Sequence, residues 1–254
     1  CTAGYNGFGP REMAQMAAVS LLSTSGVSCH FGGLIAVQNV DFDLPRGQIR
    51  ALIGPNGAGK TTFVSMLCGR MPVSSGRIVF NGEDVTLVPA HKRIQKGMAY
   101  TFQITSIFAN LKVFENVALA VQPRLSNIAS DLSVEVACAL DRVGLQAQAG
   151  RVAGDLSYGH QRLLEIAMGL GQAPQLLILD EPTQGLSDHE VDEFIDLIKA
   201  VAATTTVLLI EHNIKVVMAL ADRITVMDCG VIIAEGSPQE IRHNEVVQAA
   251  YLGS

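Results

Sequence analysis

Residues 54–62 read Gly-Pro-Asn-Gly-Ala-Gly-Lys-Thr-Thr, and they restrict the fold more than any other segment of the chain. The run satisfies the pattern G-x-x-x-x-G-K-[ST] at every position. An apolar stretch at 51–53 precedes it, and residues 63–67 open a helical pattern after it. A strand, a glycine-rich loop and a helix in that order belong to an α/β architecture. The glycines let consecutive backbone amides turn inward and form an anion-binding nest. The helix that begins near Lys60 adds the positive end of its dipole. Lys60 can reach β- and γ-phosphates, and the Thr61 hydroxyl can ligate Mg²⁺. Gly54, Pro55, Asn56, Gly57, Ala58, Gly59, Lys60, Thr61 and Thr62 are therefore the candidate residues for holding a nucleoside triphosphate.

The chain has 254 residues, enough for one large α/β domain. Only 17% of them are charged against 48% hydrophobic, which predicts a surface partly covered by partners. The net charge of −6 argues against non-specific nucleic-acid binding. No apolar run is long enough to cross a membrane. Cys1, Cys29, Cys68, Cys138 and Cys229 are scattered without a C-x-x-C pair, so neither a zinc site nor a disulfide framework is expected, and a reducing cytosol is the natural compartment. Residues 1–20 are expected to be a disordered or non-native leader, with Met13 or Met16 as the natural start.

Strand patterns fall at 26–31, 35–44 and 48–53, with another at 76–80 closed by the hairpin signal Asn81-Gly82. From 113 to about 170 the pattern is mostly helical, broken near Pro123 and Gly150. Strands and helices then alternate: a strand at 176–179, a helix at 188–202, a strand at 206–210, a helix at 213–221. Late strands at 223–227 and 231–234 flank the turn Asp228-Cys229-Gly230, and helical patterns end the chain. Such alternation around a phosphate loop predicts a mostly parallel sheet, with the long helical stretch inserted into it.

Two further segments carry chemistry. Residues 176–181, Leu-Leu-Ile-Leu-Asp-Glu, form an apolar strand ending in two carboxylates. Asp180 would arrive at the sheet edge, where it can help hold Mg²⁺. Glu181 points elsewhere and can polarise a water. Residues 156–161, Leu-Ser-Tyr-Gly-His-Gln, precede a helix expected over 162–170, with Ser157 placed to cap it and its amides suited to an anion.

These residues together resemble the ATP-binding cassette (ABC) proteins, over the chain from about residue 21 to its end. Ser157 and Gly159 match the Leu-Ser-Gly-Gly-Gln signature, while Tyr158 replaces its first glycine and His160 its glutamine. Gln103 matches the glutamine that senses Mg²⁺ and the transporter contact. His212 matches the switch histidine on the γ-phosphate. Ser187 holds the slot of the usual aspartate after the paired carboxylates, with Asp188 one place late. Phe31 sits where the family stacks an aromatic on adenine; a plain core role stays open for it.

The resemblance implies a P-loop cassette: a RecA-like core, an antiparallel β subdomain, and a helical subdomain over about 104–170 within an ATPase domain of 21–254. It implies ATP and Mg²⁺ as cofactors. Lys60, Gln103, Glu181 and His212 would be catalytic, and Thr61, Gln103 and Asp180 would ligate the metal. Phe31-Gly32-Gly33-Leu34, Leu164-Glu165-Ile166-Ala167 and the ending Ala250-Tyr251-Leu252-Gly253 are similar to ATPases of branched-chain amino-acid, urea and amide importers. A lipopolysaccharide exporter or a regulatory ATPase is the alternative. The implied partners are two integral-membrane permease subunits, a second cassette held head to tail (a paralogue or a second copy), and, indirectly, a periplasmic solute-binding protein. Its implied place is peripheral, at the cytoplasmic face of the inner membrane. The apolar residues Phe102, Ile104, Ile107, Phe108 and Leu111 around Gln103 either dock the permease or pack within the helical subdomain.

Overall fold

A computed structural model describes residues 20–101, 106–125 and 132–252. Strands β1 (Ser20–Phe31), β2 (Leu34–Pro45), β4 (Ser75–Phe80) and β5 (Glu83–Asp84) form an antiparallel sheet in the order β2-β1-β4-β5. A second sheet has the order β10-β9-β3-β8-β7-β6. Its strands are β3 (Ile49–Ile53), β6 (Met98–Thr101), β7 (Leu176–Asp180), β8 (Thr206–Ile210), β9 (Arg223–Asp228) and β10 (Val231–Gly236). The first five are parallel in space, and β10 returns antiparallel on β9. Every residue of β3, β7 and β8 is buried, as continuous apolar strands covered on both faces must be.

The helices are α1 (Lys60–Leu67), α2 (Ala90–Gln95), α3 (Val113–Val121), α4 (Leu132–Arg142), α5 (Tyr158–Gly171), α6 (Asp188–Ala202), α7 (Ile214–Leu220), α8 (Pro238–Arg242) and α9 (Glu245–Leu252). One apolar cluster joins α1 to both sheets through Phe63, Met66, Phe42 and Ile178. Another, on the far face, joins α3, α4, α5 and α6 to β7 and β8. Helices α3 to α5 lie between β6 and β7 in the chain, so the expected insertion divides the parallel sheet.

The Asn81-Gly82 signal is a two-residue hairpin with both φ values positive (52° and 78°), and Phe80 pairs with Glu83. Cys229-Gly230 makes the same kind of turn between β9 and β10. Two expectations shift. Strand β1 starts at Ser20, inside the range given to the leader and six residues before the patterned run, because Leu21 and Leu22 are core residues. Helix α5 starts at Tyr158 rather than at 162, since Ser157 caps it directly. Strand β6 and helix α2 are too short to carry a readable period and went unmarked in the sequence.

Candidate nucleotide site

The phosphate loop leaves the carboxyl end of β3, the strand between β8 and β9, and runs into α1. Two close approaches explain its glycines. A Cβ on Gly54 (φ 153°) would lie 2.1 Å from the Met227 carbonyl oxygen, and one on Gly59 (φ 95°) 2.5 Å from that of Ala36. The loop is thus pressed against β9 and β2 by backbone alone. The turn at 229–230 completes the clamp: the Gly230 N–H donates to the Ala58 carbonyl (3.0 Å), and the Gln38 N–H donates to the Gly230 carbonyl (2.8 Å). The first amides of α1 face the cleft without intrahelical partners, as at any helix start. Lys60 is buried, and its ammonium donates to the carbonyls of Gly54 (2.6 Å) and Pro55 (3.0 Å). Burial lowers its pKa, while Glu181 and Asp180 act the other way. Residues 56–62 line a cleft of about 530 Å³ with Leu34, Ile35, Ala36, Glu181, Cys229 and Gly230.

Asp180 and Glu181 end β7 with different environments. Asp180 is buried and accepts a hydrogen bond from the Tyr100 hydroxyl at 2.7 Å. Burial raises its pKa; Tyr100 and the cations Arg70 and Lys60 oppose this, and Glu181 reinforces it. Glu181 has φ 47°, a left-handed backbone that costs a non-glycine residue roughly 1–3 kcal/mol. That turn aims its carboxylate at the cleft, 3.8 Å from Nδ1 of His212, and its N–H donates to Ile210 (2.9 Å). His212, exposed, follows β8. Its loop is shaped by Glu211, a buried carboxylate that accepts from the N–H groups of His212 (2.9 Å), Asn213 (3.0 Å) and Thr183 (3.1 Å) and from the Thr183 hydroxyl. Tyr100 and Glu211 were not singled out in the sequence, since each acts through contacts made only in the folded chain.

The remaining candidates lie apart from this cluster. Phe31 ends β1 exposed, at 49%, so it is not a core residue; Leu34, Ile35 and Ala36, and not Phe31, line the cleft. Ser157 caps α5, accepting from the His160 N–H at 3.3 Å, and Gly159 is buried in its first turn. Both stand in the helical insertion, outside the cleft of Lys60. Ser187, in the slot of the family aspartate, caps α6 in a reciprocal box with Glu190. Gln103 lies outside the described residues.

The model of the ABC transporter family matches residues 37–184, and that of the branched-chain amino acid ATP-binding cassette transporter matches residues 231–254. This chain belongs to the ABC transporter family. The cassette is 39% identical over 249 residues to the high-affinity branched-chain amino acid transport ATP-binding protein LivG of Escherichia coli (strain K12), covering 92% of this chain and 98% of LivG. BraF of Pseudomonas aeruginosa, described in the same words, matches at the same identity and coverage. The lipopolysaccharide export system ATP-binding protein LptB of Escherichia coli (strain K12) is 30% identical over 236 residues, at 92% and 98% coverage. A crystal structure of a nucleotide-free ATP-binding cassette from an ABC transporter superimposes with a TM-score of 0.84 at 26% identity, covering 93% of this chain and 100% of that one. The cassette is an ATPase, and ATP is its nucleotide. Among its described residues, no helix is long and apolar enough to cross a membrane.

Proposed function

We propose that this cassette hydrolyses ATP to power the import of branched-chain amino acids, or related small polar solutes, through a separate membrane permease. The observation that carries the reading is likeness to LivG and BraF over 92% of the chain, together with the matched segment 231–254. The likeness to LptB, 30% against 39%, makes lipopolysaccharide export the weaker alternative. In this reading two permease subunits hold the cassette at the cytoplasmic face of the membrane. A second cassette, paralogous or identical, faces it head to tail, and a solute-binding protein delivers cargo from the other side.

The residues divide the work. Lys60 exchanges its two loop carbonyls for oxygens of the β- and γ-phosphates, and the amides of the loop and α1 hold the rest of the phosphate chain. Glu181 orients or deprotonates the attacking water, and His212, beside it, holds the γ-phosphate. Ser157 and Gly159 offer a helix N-terminus to the nucleotide of the facing cassette. Phe31 stacks on the base, and Gln103 links the metal to the permease.

Magnesium fits the donors present. Among the described residues no group of three or more His, Cys, Asp and Glu could cage a metal. Mg²⁺ needs no such cage: it takes one or two protein oxygens and completes its shell with water and phosphate. Thr61 and Asp180 are donors of that kind, and Mg²⁺ bound there would neutralise charge on the phosphates. The test is uptake by the host. Loss of this chain should abolish accumulation of labelled leucine and valine, restored by the unmodified chain and not by Lys60→Ala. Uptake unchanged by the loss contradicts the reading.

A further inference from the structure

The tyrosine that replaces a signature glycine is the least explained residue of the sequence, and it is not a loose surface side chain. Its hydroxyl accepts a hydrogen bond from Arg162 Nη2 at 3.0 Å, and the Arg162 guanidinium carbon lies 5.4 Å from its ring centre. The ring edge also rests on the loop behind Glu181: a Cβ added to Gly185 would lie 3.1 Å from Cε1 of Tyr158. One residue on, a Cβ at Gly159 would fall 2.2 Å from the Glu190 carboxylate, whose other oxygen accepts from the Ser187 N–H and hydroxyl, both at 2.8 Å. The first turn of α5 therefore touches the 185–190 segment at two points.

The contacts continue in the other direction. Arg162 Nη1 donates to Glu165 Oε2 at 3.0 Å, and both side chains are about 5% exposed. The second oxygen of Glu165 accepts from the N–H of Ser106, three residues after Gln103. Burial raises the Glu165 pKa; Ser106 and Arg162 oppose it. A buried ion pair of this kind adds little net stability, because desolvation offsets the attraction. What it does fix is geometry, since removing one partner leaves a buried charge.

We propose that Tyr158 and Arg162 are positioning residues that tie the signature turn to the loop behind Glu181 and to the segment after Gln103, so that the three move as one unit. The inference rests on the ATPase reading, in which these segments face a second cassette and the permease. A shift at Ser106 is passed through Glu165 and Arg162 to the amides at Ser157–Gly159 and, through the tyrosine ring, to the strand end that carries Glu181. The phosphate loop is not part of this chain of contacts.

The experiment compares Tyr158→Gly, Tyr158→Phe and Arg162→Lys with the unmodified protein. It reads the kcat and KM of ATP hydrolysis, and amide hydrogen exchange at Ser106 and over 185–187. Tyr158→Gly should lower kcat by about tenfold to a hundredfold, the scale of a small misplacement of reacting groups, with KM within about twofold. Exchange at Ser106 and 185–187 should quicken together. Tyr158→Phe keeps the ring on Gly185 and under Arg162, and should recover most of kcat. Arg162→Lys keeps the charge but loses the fork, and should quicken exchange at Ser106. Unmodified kcat and unmodified exchange in Tyr158→Gly would overturn the proposal. An unmodified protein that does not hydrolyse ATP would count against the ATPase reading instead, and the exchange measurements would still decide the linkage.

Discussion

Asp180 illustrates how a site residue is held at a cost. Its carboxyl is buried, and burial raises its pKa above 3.8, the ordinary value for an aspartate. The folded protein therefore binds a proton there more readily than the unfolded chain does. The sign follows: as pH rises from the ordinary value through the raised one, stability is lost, and the loss persists at neutral pH. Asp180→Asn keeps an oxygen for the Tyr100 hydroxyl and removes the buried charge. Its melting midpoint at pH 7 should exceed that of the unmodified protein, by about 2–4 °C for each kcal/mol recovered. The gain should vanish near pH 3.8, and Mg²⁺-dependent hydrolysis should be lost. An unchanged midpoint at pH 7 would show that Tyr100 and Lys60 fully offset the burial. At this scale the phosphate loop and the paired carboxylates were legible because each is a contiguous motif whose chemistry needs those residue types. Tyr100, Glu211 and the role of Tyr158 were not, because each depends on a partner 28 to 80 residues away or on the packing of a distant loop.

Helix α2, which went unmarked in the sequence, shows what a short element can do. Arg93 is buried there and donates to four backbone carbonyls: Met66 (2.8 Å) and Leu67 (2.6 Å) at the end of α1, and Thr86 (3.0 Å) and Val88 (2.7 Å) in the preceding loop. A cation at the carboxyl end of α1 also complements the helix dipole. Arg93→Met removes the donor these carbonyls share, Met66 keeping only that of the Gly69 N–H (3.0 Å), and should cost about 2–4 kcal/mol, read from denaturant midpoints. Arg93→Lys reaches fewer of them and should fall between. The apolar cluster around Gln103 also divides at this scale. Ile107 packs against the core, whereas Phe108 is 54% exposed on the same segment; Phe102 and Ile104 lie outside the described residues. Phe108→Asp should therefore weaken co-purification with the permease while sparing ATP binding and the melting midpoint. A lowered midpoint would assign Phe108 to packing instead. β7, β8 and α6 were read correctly for a physical reason: β7 and β8 are buried on both faces and read as unbroken apolar runs, while α6 buries one face and repeats its apolar residues at the helical period. Six-residue α2 and four-residue β6 are held by neighbours, and leave no period to read.

Across the whole molecule, the parallel sheet brings the phosphate loop, Asp180, Glu181 and His212 to one edge, while Ser157, in the helical insertion, does not line the cleft of Lys60. The proposed function gives binding and hydrolysis to different groups. In the proposed reading Lys60 and the loop amides serve the phosphates, Glu181 serves the water, and the signature serves a second cassette. Ser157→Arg should accordingly leave ATP binding by the single cassette intact and abolish turnover by the assembled transporter. The division itself is tested most directly by measuring ATP retention and ATP hydrolysis side by side in Lys60→Ala and Glu181→Gln. The account predicts that Lys60→Ala loses both, whereas Glu181→Gln retains ATP with hydrolysis reduced by at least about a hundredfold. Equal loss of ATP binding in the two variants, or hydrolysis that survives Glu181→Gln, would contradict it.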